Sequence, residues 1–359
     1  MNNVKKLTFD KLIIELTRDC NMQPPCQHCF RGTAQKITLD KKYITSLLNQ
    51  TEIIGSLVFA GGEPTLCIDE MKYILNSLYE KKIPLFNMDF VTNGLIFDEK
   101  LVEIVKGYSN LIKLCQEIGT GSKVDVWKHV VISVSLDKFH NHREIAEENL
   151  KKYKEALIGY AQVVKLAYGN IPRKEGNGKT LKNGICDLSI DRADMKRIEL
   201  FDNQHMPLCP QYQNYKRVKP EQIIVCCEIY LNALGNLLIS SLGLHEYTFA
   251  DNPKYVICSS LSDDIYNEIE KYNTDKIDCC NLMKMTIAES KRNPIRGLVG
   301  MKDAWFYMEH KREDDSDVVE RDESPKGMNL KKLMTQAVFN PNVIDDIIAN
   351  AKSRKSLDL

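Results

Sequence analysis

Lys11-Leu12-Ile13-Ile14-Glu15-Leu16-Thr17 is a short β-rich run. It opens directly into Arg18-Asp19-Cys20-Asn21-Met22-Gln23-Pro24-Pro25-Cys26-Gln27-His28-Cys29-Phe30-Arg31-Gly32. Three cysteines fall within ten residues, in a loop at the carboxyl end of a strand. Cysteine thiolates hold iron–sulfur clusters, and this local spacing lets one loop wrap a cube. Three thiolates on a 4Fe–4S cube leave one iron without a protein ligand, open to a substrate or cofactor. Two other readings stand beside this one. A structural zinc site takes four ligands, and His28 is the nearest fourth, although the turn between Cys26 and Cys29 is tight for a shared ion. The third reading is a group of reduced, buried cysteines.

Outward from this loop the chain alternates strand-like and helix-like segments. Thr38 to Gln50 reads as a helix with Ile44, Leu47 and Leu48 on one face. Ser56 to Ala60 reads as a buried strand, and Asp69 to Lys82 as a helix with Met71, Ile74, Leu75 and Leu78 at helical spacing. Phe86 to Val91 is the next strand and Asp98 to about Gln116 the next helix. His129 to Leu136 is a strand, followed by a charged helix from His142 to about Gly159, and Ala161 to Ala167 is a fifth strand. Parallel strands need a helical crossover, so repeated β–α units predict a parallel α/β sheet, open or curled into a full or partial barrel. Chemistry in such sheets sits at the carboxyl ends of the strands.

The net charge is zero, with 49 basic and 49 acidic residues, so bulk electrostatics favours neither nucleic acid nor an anionic membrane. With no secretory signal and no long apolar segment, a cytoplasmic location is expected. Twelve cysteines in such a compartment point to metal or redox chemistry and not to disulfides.

Each further motif follows a strand. Phe59-Ala60-Gly61-Gly62-Glu63-Pro64 ends the second, Val91-Thr92-Asn93-Gly94 the third, and Ser133-Val134-Ser135-Leu136-Asp137 the fourth. With these four segments in order, residues 8 to 170 resemble the radical S-adenosylmethionine superfamily. The usual loop there is C-x3-C-x2-C, often with an aromatic residue before the last cysteine. Here it is C-x5-C-x2-C with His28 in that place, an insertion around Pro24-Pro25.

The resemblance implies a (β/α) partial barrel over residues 8–190 and a smaller α+β extension over 200–305. A charged linker at 306–328 and a helical tail at 329–359 would follow. It implies Cys20, Cys26 and Cys29 as ligands of a 4Fe–4S cluster, and Gly61, Gly62, Glu63 and Pro64 at the amino group of S-adenosylmethionine. Asn93, Ser133, Ser135, Asp137 and His28 are the further expected cofactor contacts. It implies reductive cleavage of S-adenosylmethionine to a 5′-deoxyadenosyl radical, an external one-electron reductant such as flavodoxin or ferredoxin, and a small-molecule or peptide substrate. A non-catalytic iron–sulfur or zinc-binding module is the alternative. Arg31, Cys115, His140 and His142 are candidates to face the strand ends, and the fifth strand near Lys165 to Gly169 is a candidate adenine contact.

Beyond residue 170, Asn170 to Gly184 reads as a glycine-rich loop, and Glu221 to Ser240 as a β-hairpin turning near Gly235. Helices are expected near 261–273 and 278–291. The hairpin resembles those of extensions that carry auxiliary clusters, but Ser240 stands where those have a cysteine. Cys209, Cys226, Cys227, Cys258, Cys279 and Cys280 are the residues left for an auxiliary site, and small buried hydrophobes are the plainer reading.

Overall fold

The computed structural model describes residues 5–120, 123–166, 175–181, 199–201 and 223–272. All of these belong to one compact unit, formed by residues 1–187 and 197–275. The expected helix at 278–291, the charged linker, the tail, and Cys186, Cys209, Cys279 and Cys280 lie outside the described residues.

The central strand β1 (Leu7–Thr17) is buried at nearly every position, as a strand covered on both faces must be. Helix α1 (Lys41–Asn49) follows the cysteine loop. Asp40 caps it by accepting from the Lys42 amide, and Ile44, Leu47 and Leu48 point into the core as their spacing predicts. Then come β2 (Thr51–Gly61), α2 (Ile68–Lys81), β3 (Leu85–Thr92), α3 (Glu99–Thr120), β4 (Val130–Ser135), α4 (Arg143–Ala156) and β5 (Gln162–Leu166). Every neighbouring pair from β1 to β5 is parallel. The expected parallel α/β class is therefore borne out, as an open sheet.

The chain then returns to the other side of β1. Strand β7 (Ile223–Leu231) pairs with β1 in parallel, and β8 (Asn236–Ile239) and β9 (Val256–Ser259) add antiparallel strands beyond it. The path runs β5-β4-β3-β2-β1-β7-β8-β9, with the short β6 (Glu199–Phe201) against β7. The hairpin thus continues the same sheet as the first half of the chain. Its turn forms at Gly235 (φ 83°), where Asn232 Oδ1 accepts from the Leu234 and Asn236 amides. Short helices α5 (Ser240–Gly243) and α6 (Tyr247–Ala250) and the longer α7 (Ile265–Tyr272) complete the described part.

The parallel strands β1 to β4 end at Thr17, Gly61, Thr92 and Ser135, along one edge of the sheet. All four sequence motifs therefore meet there. No helix among the described residues is long and apolar enough to cross a membrane.

Candidate functional site

The cysteine loop leaves β1 under tight backbone control. The Arg18 amide donates to Ile37 O at 2.9 Å, the Asp19 amide to Thr17 Oγ1 at 3.0 Å, and the Cys20 amide to Asp19 Oδ1 at 2.9 Å. The Gly61–Pro64 segment is fastened to this exit. The Gly62 amide donates to Thr17 O and the Glu63 amide to Asp19 O, each at 2.8 Å. A Cβ on Gly62 would lie 2.1 Å from Asp19 O, so only glycine permits this approach.

Cys20, Cys26 and Cys29 are free and half-buried. Burial pushes all three thiols up, Cys26 to about 12, and the Cys29 and Cys20 thiolates add to the rise at Cys26. N–H groups face them in compensation: the Met22 amide at Cys20, and the Arg31 and Gly32 amides at Cys29. Such a set ionises when a positive metal centre takes up the thiolates.

Glu63 is turned away from the surface. Its Oε1 accepts from the Thr65 amide (3.0 Å), Thr65 Oγ1 (2.6 Å) and Thr92 Oγ1 (2.8 Å), and its Oε2 from the Asn93 amide (2.7 Å). Burial raises its pKa against these donors. The carboxylate ties the end of β2 to the end of β3. Helix α4 supports the same turn, through Asn149 Nδ2 on Gly94 O and Tyr153 OH on Ile96 O, both at 2.9 Å. Asn93 itself reaches back to the loop, with Nδ2 2.8 Å from Asn21 Oδ1 and 3.8 Å from Cys20 Sγ.

At the end of β4, Asp137 gathers two imidazoles. His28 Nε2 lies 3.3 Å from Oδ2 and His140 Nδ1 2.9 Å from Oδ1, while the Phe139 amide donates to Oδ1 at 2.8 Å. The His28 ring stacks on Phe139 and meets His140 edge-on. Burial opposes ionisation of Asp137, but the two imidazoles and the amide outweigh it and hold the carboxyl well below the usual range. Donor atoms of His28, Asp137 and His140 all lie within 4.8 Å of one another. The inserted residues of the cysteine loop dock on this same β4–α4 connection. Asn141 Nδ2 donates to Pro24 O at 2.8 Å, and His142 Nε2 lies 2.6 Å from Gln23 O, a carbonyl that can only accept. Ser133 and Ser135 alternate with buried Val130, Ile132 and Val134, which puts both serines on the half-exposed face of β4.

One candidate is corrected by the structure. Cys115 lies in the second half of α3, beside Leu85 at the start of β3. A crossover helix runs against its strands, so this places it at the opposite edge of the sheet. Arg31 sits at the carboxyl ends of β1 and β7, 3.8 Å from Glu15. Its buried guanidinium donates to Tyr230 OH, Gly243 O and His245 O. Lys165 pairs with Glu147 at 3.7 Å, and 167–169 lie outside the described residues. Cys258 is buried in β9, its thiol pushed up to about 12 by burial.

Two arrangements were not anticipated from the sequence. A buried polar network joins β1 to the later strands. Glu15 accepts from Arg18 Nε (3.2 Å), Tyr230 OH (3.0 Å) and the Ala233 amide (2.9 Å), and Arg18 reaches Asp251 with two nitrogens. The only sequence signal was two charges, Glu15 and Arg18, beside an apolar run. The second arrangement is the turn Gly176–Thr180, which covers the cysteine loop. The Asn177 amide donates to Cys29 O at 2.9 Å and its Nδ2 to Cys26 O at 3.1 Å, while Glu175 pairs with the fully buried His245 at 2.7 Å.

No protein-family model matches the chain, and no curated protein matches it. Among solved structures, the chain is similar to one described as native anSMEcpe with bound AdoMet and Cp18Cys peptide. The identity is 15% and the TM-score 0.41, over 76% of this chain and 83% of that one.

Proposed function

We propose that the chain is a radical S-adenosylmethionine enzyme, with Cys20, Cys26 and Cys29 holding a 4Fe–4S cluster. The supporting observation is the seating of the Gly61–Pro64 segment on the exit of the loop that carries the three free, half-buried thiols. The donors suit the group: thiolates are the ligands of iron–sulfur clusters, and the amides facing Cys20 and Cys29 offset their charge. When bound, such a cluster would supply the one-electron reduction that splits S-adenosylmethionine into methionine and a 5′-deoxyadenosyl radical able to take hydrogen from a substrate.

The chain's own residues bind and orient. Glu63 uses both carboxylate oxygens on Thr65, Thr92 and Asn93, so an incoming ammonium falls to the backbone carbonyls of Gly61–Pro64. Asp137, held ionised, suits a ribose hydroxyl, and Ser133 and Ser135 suit a carboxylate. His28, stacked on Phe139, joins the cysteine loop to this end of β4. A small flavin or iron–sulfur protein is the proposed reductant, and a peptide or small molecule the substrate.

A second reading has its own observation. Two imidazoles and a carboxylate within 4.8 Å suit a single divalent ion in a binding module. Anaerobic reconstitution separates the two. The enzyme reading expects about four irons with sulfide per chain, and release of 5′-deoxyadenosine when S-adenosylmethionine and dithionite are supplied. One zinc without sulfide, or a cluster that never cleaves S-adenosylmethionine, overturns it.

A further inference from the structure

Asn93 holds a fixed donor against one of the cluster thiols. Its Oδ1 accepts from the Leu95 amide at 3.0 Å, and its Nδ2 donates to Asn21 Oδ1 at 2.8 Å. A flipped amide would set N–H against N–H at Leu95, so the Leu95 bond decides which end faces Cys20. The second Nδ2 hydrogen is left for Cys20 Sγ, 3.8 Å away. The backbone is equally constrained. The Asn93 amide is bound by buried Glu63, which also holds Thr92.

Hydrogen bonds to cluster sulfurs offset the extra negative charge of the reduced state, and so raise the reduction potential. We propose that Asn93 tunes the cluster through Cys20, holding its reduction potential above the value that the same three thiolates would set unaided. The inference rests on reading Cys20, Cys26 and Cys29 as cluster ligands. In that reading Asn93 is a positioning residue for electron transfer to the cluster, acting through Cys20.

The test is a dye-mediated redox titration of the reconstituted full chain, followed by electron paramagnetic resonance of the reduced cluster, without S-adenosylmethionine. Asn93→Leu removes the donor. Asn93→Asp keeps the acceptor for the Leu95 amide and replaces the donor with charge. Both are expected to titrate at more negative potential than the parent with unchanged iron and sulfide, the Asp variant furthest. Asn21→Ala, which leaves the donor in place, is expected to titrate with the parent. Equal potentials for the parent and both Asn93 variants overturn the inference and leave the proposed function standing. Loss of the cluster from both variants with the circular dichroism of the parent also overturns it, because Asn93 would then hold the loop and not tune it. A parent chain that takes up no cluster overturns both.

Discussion

Arg18 Nη1 and Nη2 meet Asp251 Oδ2 and Oδ1 at 2.8 and 2.6 Å, a forked pair that joins residues 233 positions apart. Arg18 is fully buried two residues before the first cysteine, and Asp251 follows the short helix α6. Removing the carboxylate leaves a buried cation with Glu15 as its one charged partner among the described residues and the Gln35 amide oxygen at 3.1 Å. Asp251→Ala should lower stability by about 3 kcal/mol, read from urea unfolding of the apo chain. A change below the error of the titration would show that water replaces the carboxylate.

Gly62 is expected to tolerate no side chain. The Cβ of Gly62→Ala would sit 2.1 Å from Asp19 O and 2.7 Å from its carbonyl carbon, both backbone atoms that cannot swing away. The segment must separate from the cysteine loop, at a cost of about 1–3 kcal/mol. Iron retained after anaerobic desalting should fall with it. Full iron retention at unchanged stability would contradict the close approach.

Glu63→Ala should be costlier than an ordinary surface truncation. It strands the Thr65 and Asn93 amides and the hydroxyls of Thr65 and Thr92 beneath the sheet edge. Each buried orphan costs about 1–3 kcal/mol. Thermal unfolding of Glu63→Ala beside Glu63→Gln, which keeps an acceptor oxygen, checks this, and the Gln variant should recover part of the loss.

Asp137 gives a prediction in pH. Its folded carboxyl is held well below the ordinary range by His140, His28 and the Phe139 amide, against burial. A depressed carboxyl contributes stability that is complete above its unfolded pKa, near 3.9, and that is lost as pH falls through the lower folded value. The stability difference between the parent apo chain and Asp137→Asn should be fully present at about pH 5. It should then shrink on further acidification. A difference that widens in acid would refute the assignment.

Much of the first half was legible because local patterns decide it. Ile44, Leu47 and Leu48 mark the buried face of α1, and the glycine at 235 marks the hairpin turn. The motifs could be placed at one sheet edge because each followed a strand. What could not be read depends on distant partners. Nothing near Glu15 announces Tyr230 and Ala233 as its donors. Val256–Ser259 is only four residues long and acquires its strand character from β8. The loop around Glu175 carries no sign that His245 will anchor it over Cys29. Glu63 looked like a ligand group, and its partners Thr92 and Asn93 come from another motif.

The place of β7 beside β1 bears on how the molecule is made. Translation delivers β1 first, and β2 soon covers one of its flanks. The opposite flank keeps its peptide groups bare until Ile223 and its successors leave the ribosome. A long apolar strand with one open side invites pairing with another nascent chain. Crowded polysomes should therefore drive this protein into inclusion bodies, and chaperone supply should rescue it.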